Sequence, residues 1–269
     1  MDFILEYYFD FGLMRDQFGP VLEGFWFTVK LSVLAGILSL AWGLVLAVLR
    51  QLPGKPLAPV RGLVIAYIDV FRGVPLLLVL LLVSGFLGSA ASPVGGELLP
   101  RSIGIPEWFG QPSPFWYGVI ALTLTYGAYM AEVYRAGIEA VPRGQMEAAR
   151  SLGMSHGESM RNIIVPQAIR KVIPPLLNDF IALMKDTSLV GFLGLTEVVQ
   201  AGFNFQSSDF NGSALVLGAL LFLAVTIPMA RLVDRMISRD QGKTQRGAAS
   251  DRDSDIQPSG PPATGMAGA

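Results

Sequence analysis

An all-α, polytopic membrane protein with about five transmembrane helices, its N-terminus outside and its C-terminus cytoplasmic, is the fold class this sequence predicts. Three observations predict it. Charged residues make up only 15% of the 269 residues and hydrophobic ones 52%, with a mean hydropathy of +0.50, whereas a soluble domain carries about 25% charge. The charges leave gaps long enough for spanning helices of about 20 residues. Lys and Arg also collect in alternate loops, which fixes an orientation. The formal net charge of -1 hides that asymmetry. The absence of Cys excludes a disulfide framework, thiolate zinc sites and cysteine nucleophiles. With a single His, His156, a histidine-rich metal centre is excluded as well, and no metal site is expected.

Residues 1–20 read as an external lead-in, acidic through Asp2, Glu6, Asp10 and Asp16 and without the basic start of a cleavable signal. The first span runs roughly from Val21 to Leu49, broken only by Glu23 and Lys30. Ala35, Ser39, Gly43 and Ala47 recur along it every four residues, a stripe that lets another helix approach closely, within the protein or in a dimer. The second and third spans lie in the charge-free stretches between Arg72 and Glu97 and between Glu107 and Glu132. The next, roughly Val172 to Leu195, contains Asp179, Lys185 and Asp186 and is held in by its apolar flanks. The last fills the gap between Asp209 and Arg231. Residues 21–237 thus form one transmembrane domain. Residues 238–269, rich in Gly, Pro, Ser and Asp, cannot bury enough apolar area to order themselves and read as a disordered cytoplasmic tail.

Four cations lie between the first two spans (Arg50, Lys55, Arg61, Arg72) and six between the third and fourth (Arg135, Arg143, Arg150, Arg161, Arg170, Lys171). Six more follow the last span (Arg231, Arg235, Arg239, Lys243, Arg246, Arg252). These sixteen of the 20 Lys and Arg share one side, so that side is cytoplasmic.

The largest cytoplasmic loop, about 140–166, carries the clearest local signals. Met146 to Leu152 reads as a short amphipathic helix, with Gly153 as a C-cap requiring positive φ. Ser155 then caps a second helix, with Glu158 three residues on as in a capping box. The resulting helix-turn-helix alternates cations with carboxylates at a membrane surface, which argues for a protein partner and against nucleic acid.

Ionisable groups inside spans are costly and either pair or mark a pathway. Glu132 and Arg135, three apart, read as a structural ion pair. Asp179 and Asp186, seven apart, share a helix face with Lys185 beside them. If that face lines a path, an aspartate could meet an α-ammonium, and Lys185 or Lys30 an α-carboxylate. The alternative is that these charges pair or snorkel and only hold helices together.

The loop resembles the EAA signature, E-A-A-x3-G-x9-I-x-L-P, of bacterial ABC importer permeases through Glu147, Ala148, Ala149, Gly153, Ile163 and Pro166, with Val165 in place of Leu. The stretch from Tyr67 to Leu77, Ala128 to Glu132, Pro166 to Ala168 and Lys185 to Leu189 are similar to blocks of the polar amino acid uptake subfamily. The resemblance runs from about Gly24 to Leu232. It implies a coupling helix that docks in a groove of a separate ABC ATPase. Glu147 would be the polar anchor, Ala148 and Ala149 would allow close approach, and Gly153 would make the turn.

The same resemblance implies a multi-pass subunit of the bacterial plasma (inner) membrane that translocates a polar amino acid. Its partners would be ATPase subunits carrying ATP and Mg, a second permease copy or a sister permease, and an external substrate-binding protein. No cofactor and no catalytic residue is expected on this chain. Gly242-Lys243-Thr244 looks like the end of a P-loop, but Ile237 stands where that pattern needs Gly. Two rivals fare worse. A secondary amino acid transporter using Glu132, Asp179 and Asp186 as a proton relay predicts internal repeats, of which the sequence has none. A membrane enzyme would need a nucleophile and base or metal ligands.

Overall fold

The computed structural model describes residues 6–52, 54–91, 110–111 and 113–255. Every regular element among them is helical. The long helix α1 (Phe11–Arg50) is capped by Asp10, whose carboxylate accepts from the N–H groups of Gly12 and Leu13 at 2.8 and 3.1 Å. Its 40 residues reach about 60 Å, twice a hydrocarbon core of about 30 Å. The boundary expected at residue 20 is therefore not a structural break, since α1 continues through Pro20. Pro at that point removes one donor but leaves the apolar register intact.

Beyond Arg50 the chain folds back as α2 (Ala58–Gly73) and α3 (Leu76–Ala91). The second expected span, between Arg72 and Glu97, starts with α3, while α2 fills the stretch expected to be the loop before it, and the two helices meet at a bend of 110°. Val74 is extended, with φ -91° and ψ 132°, as a residue before proline must be, and Pro75 has no N–H to continue the ladder. The rest of that expected span, with Glu97, lies outside the described residues. The helix α4 (Ser113–Glu139) follows, then α5 (Arg143–Ser151), α6 (His156–Ser159) and a π turn at Met160–Ile164. The fourth expected span is α7 (Val165–Asp186) tightened at its end into a 3₁₀ turn, Thr187–Leu193. Gly194 ends that turn at φ +79°.

Glu197 caps α8 (Val198–Asp209), and α9 (Ser213–Asp255) closes the domain. The backbone of α9 is helical as far as Asp255, where the composition from Ser238 on suggests disorder; Asp, Arg, Lys and Gln tolerate the continued helix once an apolar span has nucleated it. The last part of the expected tail, 256–269, lies outside the described residues. By length and hydropathy, the helices at Glu6–Arg50 and Ser213–Ser238 can each cross a membrane, and the bent pair Ala58–Gly73 with Leu76–Leu87 makes a third candidate.

The core forms where α1 packs along α4. Leu31 and Ala35 meet Phe115, Val119 and Leu122 there, joined by Leu80 of α3 and Leu183 of α7. The small-residue stripe is this seam. Ala35, Ser39, Gly43 and Ala47 are all buried, and a Cβ on Gly43 would lie 2.9 Å from the Gly127 carbonyl oxygen and 3.1 Å from the Ala131 nitrogen. In a bilayer, where apolar burial does not drive helices together, such backbone proximity supplies the dispersion contact. At the other end, Asn211 donates to the Glu6 carbonyl at 2.9 Å and Gly212 N–H to the Tyr7 carbonyl at 2.7 Å, tying the acidic lead-in to the α8–α9 turn.

Candidate functional site

The loop between α4 and α7 folds as its sequence suggests. α5 ends in a Schellman motif, with Met154 N–H on the Ala149 carbonyl at 3.2 Å and Gly153 N–H on the Arg150 carbonyl at 3.0 Å. Gly153 has φ +83°, and a Cβ there would meet nothing within 4 Å, so the backbone angle alone demands glycine. Both arms of the capping box form: Ser155 N–H to Glu158 Oε2 at 2.8 Å and Glu158 N–H to Ser155 Oγ at 3.2 Å. The Ser155 backbone N–H, then its hydroxyl, hold the Glu158 carboxyl below its ordinary value.

Consecutive helical residues point about 100° apart, and the alanine pair divides accordingly. Ala149 is only 4% exposed, and on the same helix Met146 packs against the cluster of Val141, Ile164 and Ala168. Ala148 and Glu147 are exposed, and Glu147 has no ion pair among the described residues. The apolar side chain of Leu152 stands 85% exposed beside the glycine turn. The outer face of α5 therefore presents a carboxylate, a flat alanine and an uncovered leucine, while Ala149 anchors the helix to its own chain.

A second polar feature lies among α2, α3, α4 and α7. A cavity of about 390 Å³ is lined by Arg72, Thr125, Tyr126, Tyr129, Asp179 and Asp186, with the Gly73–Leu76 turn closing one side. The Tyr126 hydroxyl donates to Asp186 Oδ2 at 2.8 Å. Asp179 Oδ2 and Thr125 Oγ1 are buried with no hydrogen-bond partner among the described residues. The Arg72 guanidinium lies 5.6 Å from the centre of the Tyr129 ring, within cation–π range.

Of the four candidate path residues, Asp179 and Asp186 therefore meet and the two lysines do not join them. Lys185 is exposed outside the cavity. Lys30 lines a separate hollow with Glu23, Phe27 and Asn204, its Nζ 5.9 Å from the Phe27 ring centre. The cation at the cavity is Arg72, which the sequence groups with the loop cations. The signal for its position was the Gly73-Val74-Pro75 break that turns the chain directly after it. Glu132 and Arg135 pair at 2.7 Å as expected. Arg50 from the end of α1 also pairs with Glu132, and Arg135 reaches Glu139 at 2.5 Å. Glu132, its side chain 17% exposed, is thus held from two helices, which fits a clamp rather than a path.

Residues 39–239 match the family described as binding-protein-dependent transport system inner membrane component. The chain is 36% identical over 219 residues to the probable glutamine ABC transporter permease protein GlnM of Bacillus subtilis, covering 81% of this chain and 92% of that one. It is 32% identical over 240 residues to the glutamate/aspartate import permease protein GltK of Escherichia coli, covering 87% and 99%. Among solved structures, it is similar to a chain of an amino acid ABC transporter with histidines, at a TM-score of 0.73 and 32% identity, covering 86% and 98%. The inward-facing MetNI methionine ABC transporter shares the fold at a TM-score of 0.60 and 20% identity.

Proposed function

The chain belongs to the family of inner membrane components of binding-protein-dependent transport systems, and from that premise we propose that it is the permease subunit through which an ATP-driven importer moves a polar amino acid. The observation that carries the reading is the α5–α6 pair. Its inner side is fastened by Ala149, and its outer side offers Glu147, Ala148 and Leu152 to a partner. A separate ABC ATPase, holding ATP and Mg, is the partner this face suits. The Schellman turn and the capping box make the pair rigid, so a push on α5 is passed through the π turn into α7 rather than absorbed in the loop.

In this reading five segments cross the membrane, with the lead-in outside and the end of α9 in the cytoplasm. A second permease copy or a sister permease completes the path, and an external binding protein delivers the substrate. The cavity holds the amino acid. Arg72 takes the α-carboxylate as a charge-assisted pair, and Asp179, whose free Oδ2 lacks a partner, takes the α-ammonium. Asp186 is already engaged by Tyr126 and keeps that wall in place. α7 carries both the aspartates and the direct link to the coupling loop. Movement of α7 therefore alters the cavity as the ATPase changes state, provided that ATP binds the two states differently.

Reconstitution with the neighbouring ATPase and binding protein in ATP-loaded proteoliposomes tests this, with mass spectrometry of accumulated amino acids. ATP-dependent accumulation of one or a few polar amino acids is the expected result. Accumulation that follows a proton gradient without the ATPase would overturn it.

A further inference from the structure

A hollow of about 330 Å³ lies apart from the cavity just described, with Arg170, Lys171, Pro174, Pro175 and Asn178 of α7 along one wall. Ala140 and Ile237 close it from the other elements. Its level in the membrane follows from those two residues. Ile237 is next to last in the apolar run Ser213–Ser238, and Ala140 directly follows the end of α4. The hollow thus opens where the hydrocarbon gives way to headgroups, at the end of the bundle that bears α5 and α6.

Two kinds of group meet in it. Arg170 and Lys171 are exposed and have no carboxylate partner among the described residues. One turn further on, Pro174 and Pro175 have no N–H, so the carbonyls of Arg170 and Lys171 lose the donors that an α-helix supplies four residues ahead. A helical carbonyl points along the axis towards that fourth residue, which puts both acceptors at the wall the prolines form. At the edge of hydrocarbon an unpaired carbonyl is costly, because little water reaches it. Fixed positive charge and two carbonyls without their α-helical donors therefore sit within a single turn.

We infer that this hollow binds the headgroup of an ethanolamine phospholipid, a reading that rests on the membrane orientation given above. The phosphate lies on Arg170 and Lys171, where charge attraction at the cytoplasmic boundary favours it. The ammonium, with three N–H donors, satisfies the two carbonyls that the prolines release. A choline headgroup carries the same phosphate but no N–H, and leaves those carbonyls unpaired. The headgroup would brace α7 against α9 just below the coupling loop.

The test is lipid retention by the purified full-length chain, counted by native mass spectrometry during titration with phosphatidylethanolamine or with phosphatidylcholine of identical acyl chains. A third titration uses soluble phosphoethanolamine. Retention of the ethanolamine lipid at least tenfold above the choline lipid is expected, with weaker binding of the soluble ester. Arg170→Gln with Lys171→Gln should lose both lipids, and Lys171→Gln alone should lower both. Pro174→Ala keeps the charges but restores a donor to the Arg170 carbonyl, so it should keep lipid while narrowing the preference for ethanolamine. Equal retention of the two lipids by the wild type, or undiminished retention by the Arg170/Lys171 variants, would overturn the proposal. So would soluble phosphoethanolamine binding as tightly as the lipid. The readout needs neither ATP nor amino acid, so failed uptake by the wild type would sink the importer reading without deciding this one.

Discussion

Two aspartates two helical turns apart on α7 face the same cavity in different states: Asp186 accepts a hydrogen bond of 2.8 Å from Tyr126, whereas Asp179 keeps a buried Oδ2 with no partner among the described residues. A carboxylate oxygen left unpaired at a cavity wall is available to a ligand; one already held by a tyrosine is available for architecture. The distinction orders the expected effects of mutation.

Asp179→Asn removes the charge but preserves the shape. Loss of one charge-assisted hydrogen bond of about 1.5–3 kcal/mol should raise the KM for uptake roughly tenfold or more, with little change in thermal stability. Tyr126→Phe should act the other way, lowering stability by about 1 kcal/mol and altering KM less. Uptake kinetics beside thermal unfolding of the same preparations separates the two. Equal KM effects from both would remove Asp179 from substrate contact.

Glu147→Arg reverses the charge on the exposed face of α5 while touching nothing in the core. The variant should insert and fold normally yet lose ATP-driven uptake. Leu152→Asp, which changes the neighbouring exposed leucine, should weaken copurification of the ATPase. Normal ATP-driven uptake by both variants would take this face out of coupling.

Gly153→Ala and Gly153→Val place a side chain where φ is +83° with open space around it. The cost is therefore conformational, about 1–2 kcal/mol for the left-handed backbone, and Val should cost more than Ala. Asn, which tolerates that conformation, should cost least. If the loss of coupling instead follows side-chain size, with Asn as harmful as Val and Ala least, bulk at the partner matters and the φ requirement does not.

Gly43→Leu drives a side chain into the backbone of α4 at Gly127 and Ala131. Overpacking of about 1–3 kcal/mol or more should appear as a lowered unfolding temperature in detergent. The same substitution at Gly85, where a Cβ meets nothing within 4 Å, should be nearly silent and serves as its control.

The capping box makes a pH prediction with a definite sign. Glu158 has its carboxyl held below its ordinary 4.5 by the Ser155 N–H and hydroxyl, so its contribution is fully present above that value and is lost as pH falls through the lower folded value. Amide hydrogen exchange over Ser155 to Ser159 should accelerate below about pH 4.5 relative to Glu158→Gln, whose exchange follows the intrinsic pH dependence throughout. Parallel profiles for the two proteins would mean that the carboxylate does not hold the cap.

Local chemistry was legible without coordinates wherever a residue's role depends on its own backbone or its near neighbours. Gly153 had to turn the chain because only glycine takes φ +83° freely, Ser155 and Glu158 had to cap, and Glu132 had to find Arg135 one turn away. Ala149 shows the limit of such reading. Its place beside Ala148 suggests a shared partner-facing surface, but Ala149 is buried, and which side of α5 is covered depends on other elements, as where Met146 meets Val141, Ile164 and Ala168.

The sequence by itself determined the charge-poor stretches, the gathering of cations in alternate segments, the helix pair of the 140–166 loop and the small-residue seam, because each is a matter of composition or of spacing along one helix. Only the tertiary structure decided that the seam receives α4, that Arg50 clamps Glu132 from 82 residues away, and that Arg72 rather than Lys30 or Lys185 joins Asp179 and Asp186 at the cavity. The physical reason is the same in each case. A charge near a membrane is placed by what it must pair with, and the 110° turn at Val74-Pro75, which carries Arg72 to its position, sets a direction in space that spacing along the chain does not encode.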